Sequence, residues 1–76
     1  MEFKVFLKNT KDVEEFVRAA SRCNGEIDMT SGSIYLDAKS FLGVLSAGMK
    51  REMRVICLSD EPQFFKSVRK FAVASS

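Results

Sequence analysis

The spacing of apolar residues switches repeatedly between two and three-to-four along this chain, and each switch marks a boundary between strand and helix. Alternation at every second position suits a half-buried strand, and spacing of three and four suits a helix. Residues 2–7 alternate, with Phe3, Val5 and Leu7 on one face and Glu2, Lys4 and Phe6 on the other. Asn9 or Thr10 then caps a helix whose first turns hold Asp12, Glu14 and Glu15 near the positive end of the dipole, and whose buried stripe is Val13, Phe16, Val17 and Ala20. Asn24-Gly25 ends it. Ile27 and Met29 alternate with Glu26, Asp28 and Thr30. After turn chemistry at Ser31-Gly32, Ile34 and Leu36 alternate with Tyr35 and Asp37, which together predict a hairpin. Ser40 caps a short, apolar second helix from Phe41 to about Met49. Glu52 to Leu58 is a fourth strand, with Met53, Val55 and Cys57 on one face. Asp60-Glu61-Pro62-Gln63 opens a last helix carrying Phe64, Phe65, Val68, Phe71 and Ala72.

The resulting order, β-α-β-β-α-β-α, is a split βαβ arrangement with one added helix, an α+β class in which helices cover one face of a four-stranded, mostly antiparallel sheet. At 76 residues there is room for one core, so residues 1–76 are expected to form a single domain, with the closing Ala-Val-Ala-Ser-Ser fraying. A formal charge of +2 names no partner. Cys23 and Cys57 lack CxxC spacing, and with no histidine in the chain there is no zinc-site pattern and no expected metal or cofactor. Two thiols without a disulfide framework fit a reducing cytosol, and no stretch approaches a signal peptide or a membrane span, so a cytoplasmic location is expected.

Within this order, Gly32 to Gly48 resembles the HPr phosphocarrier family of the sugar phosphotransferase system. The family pattern is a strand, then Lys-Ser, two large apolar residues, Gly-Val, and a helix ending near Gly. Lys39-Ser40-Phe41-Leu42-Gly43-Val44 matches it at every step, and the resemblance runs ungapped back through Ala20-Ser21-Arg22-Cys23-Asn24 and forward to Val55. It implies an HPr-like open-faced sandwich. It also places the family's phosphoacceptor histidine at Asn9, its active-site arginine at Lys11 and its helix-opening proline at Asp12.

None of those three residues is retained, so the implied phosphoacceptor site is degenerate. A carboxamide offers no nucleophile comparable to an imidazole nitrogen, Lys11 lacks the planar fork that grips phosphate oxygens, and Asp12 puts a negative charge where a phosphoryl group would arrive. The chain is therefore not expected to be an enzyme or a carrier of phosphoryl groups. Ser40 matches the family's regulatory serine, the substrate of an ATP-dependent HPr kinase, with Lys39 as a nearby cation. The resemblance further implies partner binding through Lys39, Phe41, Leu42 and Leu45. Histidine-lacking members such as the catabolite-repression homologue Crh act by serine phosphorylation and binding of a LacI-type transcriptional regulator.

Plainer readings stand beside these. Serine is a favoured N-cap in its own right, and Phe41, Leu42 and Leu45 are by default core residues. A small protein-interaction domain with no phosphorylation has the same pattern, with self-association through the second helix as one form of it. A nucleic-acid-binding α+β domain would need Lys50, Arg51, Arg54, Lys66, Arg69 and Lys70 on one face, with Phe6 and Tyr35 as the only outward strand aromatics, and no RNP-like motif is present.

Overall fold

The computed structural model describes residues 1–73. Its elements are β1 (Glu2–Phe6), α1 (Thr10–Ser21), β2 (Ile27–Ser31), β3 (Ile34–Asp37), α2 (Phe41–Ala47), β4 (Glu52–Cys57) and α3 (Pro62–Val68), followed by a 3₁₀ turn at Arg69–Phe71. The four strands lie in the order β1-β4-β2-β3, and every pairing is antiparallel rather than merely most of them. The helices cover one face, giving the α+β open-faced sandwich expected from the order of elements.

The alternating residues sort onto the two faces as the pleat requires. Val5, Ile27, Met29, Met53, Val55 and Cys57 are buried beneath the helices, while Phe6 and Tyr35 point outward with 37% and 67% of their surface exposed. Phe16 of α1 is fully buried and meets Phe64 of α3 at 5.7 Å and Phe71 at 6.5 Å, and Phe3 of β1 meets Phe64 at 6.1 Å and Phe65 at 5.0 Å. This aromatic group joins β1, α1 and the last helix.

Several boundaries differ from the sequence expectation. The hairpin loop is Gly32-Ser33, not Ser31-Gly32, because Ser31 still pairs with Ile34 and Gly32 takes the left-handed conformation (φ 59°) that a two-residue loop demands. The second helix stops at Ala47 with Gly48 as its C-cap, short of Met49. A Cβ at Gly48 would stand 3.1 Å from a Leu36 methyl, so the glycine lets the helix end close over β3. β4 ends at Cys57, leaving Leu58 69% exposed. The last helix has Glu61 at its cap position without a side-chain cap bond, in place of the Asp60 and Gln63 arrangement, because the Glu61 carboxylate accepts the Gly25 N–H at 3.4 Å instead. That helix also stops at Val68. The chain tightens into the 3₁₀ turn, which brings Phe71 onto Phe16, and Ala72 leaves helical geometry altogether to form a bridge with Val5. The Val73 N–H donates to the Lys4 carbonyl at 2.9 Å. The start of the tail read as fraying is thus bound to the β1 edge, and residues 74–76 lie outside the described residues. Among the described residues no helix is long and apolar enough to cross a membrane.

Candidate functional site

Two helix starts carry the residues singled out in the sequence. At α1, Asn9 adopts an extended backbone and its Oδ1 accepts the Asp12 N–H at 2.9 Å, while Asp12 Oδ2 accepts the Lys8 N–H at 3.0 Å. The Val13 N–H bonds the Asn9 carbonyl at 3.1 Å. The amides of an uncapped helix start are what an incoming anion would use. Here a carboxamide of the chain's own caps one of them and a carboxylate sits in the first turn. Asn9 and Asp12 make a self-sealed cap, and Lys11, exposed beside them, has no ion pair among the described residues.

At α2, exposed Ser40 is the N-cap. Its Oγ accepts the Gly43 N–H at 3.3 Å and its carbonyl accepts the Val44 N–H at 3.0 Å. A Cβ at position 43 would stand 3.2 Å from that Oγ, so Gly43 keeps the hydroxyl uncrowded. The loop before it is pinned twice, by the Asp37 carboxylate accepting the Lys39 N–H at 2.9 Å and by the Ser40 N–H donating to the Asp37 carbonyl at 3.0 Å.

Lys39 departs from its expected place as a cation beside Ser40. Its ammonium donates at 2.7 Å to the Cys23 carbonyl just past the end of α1, where the negative end of the helix dipole favours a cation. It straps the α2 start to the α1 end. The contact joins residues 16 apart and has no local sequence signal.

The apolar residues of α2 divide by depth. Val44 is fully buried, Phe41 and Leu45 are half-buried and packed against the core, and Leu42 is 74% exposed. Of the residues expected to bind a partner, only Leu42 stands free, with the outer parts of Phe41 and Leu45 around it. Met49, just past the Gly48 cap, is half-buried and packs against the core.

Burial pushes the Cys23 thiol up, with the Glu61 carboxylate adding to the effect and Lys39 opposing it; burial also raises Cys57. A raised thiol is a poorer nucleophile at neutral pH. Among the described residues no group of three or more Cys, Asp or Glu is arranged to hold a metal ion. The uncovered sheet face has an open hollow of about 600 Å³ where Lys4 and Arg54 stand among Glu2 and Glu52, and Arg54 pairs with Glu2 at 3.3 Å. The six basic residues weighed for nucleic acid do not share a face: Arg54 lies on the open side of the sheet, while Lys66, Arg69 and Lys70 belong to the helical layer, with Lys70 paired to Glu15.

No family model and no curated protein matches the chain. The fold is similar to that of the crystal structure of HPr-C-His from Thermoanaerobacter tengcongensis, with a TM-score of 0.73 and 22% sequence identity over 92% of this chain and 88% of that one. At that identity the likeness is one of fold: the chain has an HPr-like α+β architecture.

Proposed function

We propose that this HPr-like domain does not carry phosphoryl groups and serves instead as a protein-binding, regulatory relative of the sugar phosphotransferase system, recognised at α2 and switched by phosphorylation of Ser40. The observation that carries the reading is the contrast between the two helix starts. At α1 the position of a phosphoacceptor holds Asn9, sealed by Asp12, whereas at α2 an exposed serine hydroxyl at the N-cap stands two residues before exposed Leu42. A phosphate on Ser40 would add close to two negative charges beside an uncharged apolar surface, enough to change which partner that surface accepts. In this reading the modifying enzyme is an HPr kinase, and the partner is a LacI-type transcriptional regulator.

The test is incubation with HPr kinase and ATP, followed by intact mass measurement of the wild-type chain and of Ser40→Ala. Phosphate on the wild type alone supports the reading; no phosphate, or equal phosphate on both, ends it. A parallel incubation with phosphoenolpyruvate and the first enzyme of the phosphotransferase system is expected to leave the protein unlabelled, and a phosphoryl label would contradict the assignment of the α1 start as degenerate.

A second reading, an interaction domain without phosphorylation, is favoured by two contacts. The Lys39 ammonium is engaged at Cys23 instead of standing free for a phosphate, and the Ser40 hydroxyl already caps Gly43. Binding at α2 that is indifferent to Ser40→Ala and to Ser40→Asp would favour it.

A further inference from the structure

The uncovered face of α2 lies between charges of opposite sign. From Phe41 through Met49 the chain has no charged residue. At the N-terminal end stands exposed Asp37, whose nearest cation in sequence, Lys39, is turned away onto the Cys23 carbonyl. Just beyond the C-terminal end come exposed Lys50 and Arg51, neither of them in an ion pair among the described residues. A strongly acidic partner laid along this face would meet Asp37 as a like charge, and a strongly basic one would meet Lys50 and Arg51. A second copy of the chain meets neither problem if the two helices run antiparallel. A two-fold axis near Leu42 and Leu45 then sets Asp37 of each copy against Lys50 and Arg51 of the other, in an isologous contact with Leu42 at its centre.

We infer that the α2 face joins two copies of this chain in a weak antiparallel dimer. The inference rests on the reading of α2 as a docking surface and names its occupant. A single short helix offers less than the roughly 1,200 Å² of a standard interface, so dissociation constants of about 0.1–1 mM are expected.

Sedimentation equilibrium of the full chain, from about 10 µM to about 2 mM, reads this directly, with an average mass expected to rise from 8.5 kDa toward twice that value as the concentration passes the dissociation constant. Leu42→Asp should abolish the rise without unfolding the chain. Asp37→Lys alone, and the pair Lys50→Asp with Arg51→Asp alone, should each weaken association by about tenfold or more, since each sets like charges together across the axis. Asp37→Asn keeps the acceptor for the Lys39 N–H while removing the charge, and should weaken association less. Aspartate is tolerated in the left-handed backbone of Lys50 (φ 62°), so the fold should survive that change. An equimolar mixture of the two charge-reversed proteins makes every cross-axis pair opposite again and should recover association, and adding Leu42→Asp to either one should abolish it.

A chain that stays monomeric to about 2 mM overturns the inference. So does association that survives Leu42→Asp, or a mixture no tighter than its components. Phosphate uptake at Ser40 by a strictly monomeric chain would overturn the dimer and leave the regulatory reading standing. A dimer that behaves as described but takes no phosphate supports the dimer and ends the phosphorylation reading.

Discussion

Replacing Leu42 with aspartate should leave the domain folded and nearly as stable, whereas the same change at Leu45 should not. Leu42 is 74% exposed, so about a quarter of its side chain is out of water. With complete burial of a leucine contributing about 1.5–3 kcal/mol, losing that quarter costs roughly 0.4–0.8 kcal/mol. The lower helix propensity of aspartate adds about 0.5 kcal/mol. Against this, position 42 is the second residue of α2, where a carboxylate near the helix N-terminus recovers about 0.3–1 kcal/mol. The net change is between about 0 and 1 kcal/mol. Leu45 is half-buried and packs against the core. Aspartate there loses more apolar burial and brings a charge toward an apolar surface, for about 2–4 kcal/mol. A domain of 76 residues has roughly 4–11 kcal/mol in all, so the second variant approaches the limit of folding. Urea unfolding followed by far-UV circular dichroism separates the two. With a denaturant slope of about 1 kcal/mol/M, the midpoint should fall by less than about 1 M for Leu42→Asp and by about 2 M or more for Leu45→Asp. A Leu42 variant as unstable as the Leu45 variant would show that Leu42 is core, and the docking surface assigned to α2 would lose its centre.

Three further outcomes follow from the packing and the helix starts. Phe64→Ala should lose about 3–5 kcal/mol in chemical denaturation, because Phe64 is 2% exposed and meets both Phe3 and Phe16, while Phe65→Ala, half-buried against Phe3, should lose less. Asn9→Ala should cost about 1 kcal/mol by the same assay through loss of the cap on the Asp12 N–H, and a negligible change would mean that the cap is not formed in solution. Both thiols are raised in the folded state above their ordinary value of 9.0, chiefly by burial, so the folded chain holds protons that the unfolded chain releases. Their contribution is fully present below about pH 9 and is lost as pH rises through the folded values, so unfolding midpoints should fall above pH 9 in the wild type and less in a Cys23→Ser, Cys57→Ala variant.

The periodicity alone was enough for the order of elements and for the burial of Val13, Phe16, Val17, Met29, Val55 and Phe64, because an amphipathic segment hides the same face whatever covers it. Residue type likewise placed Ser40 at a helix start and narrowed the first cap to Asn9 or Thr10, of which the structure uses Asn9, since capping preference is a local property of side chain and backbone. The Lys-Ser-x-x-Gly-Val block pointed to the architecture that the fold displays. Local pattern was silent where two distant segments compete for one group. Glu61 leaves its own helix start to bind Gly25, Lys39 leaves Ser40 to bind Cys23, and the final helix breaks at Val68 so that Phe71 reaches Phe16 and Ala72 reaches Val5. The division of α2 into buried Val44, half-buried Phe41 and Leu45, and open Leu42 was equally hidden. All four are large apolar residues on one short segment, and which of them meets water depends on the height and tilt at which α2 rests on β3 and α1. Residue type and spacing set the side of a helix that turns inward; the depth to which that side sinks is set by the neighbours it packs against.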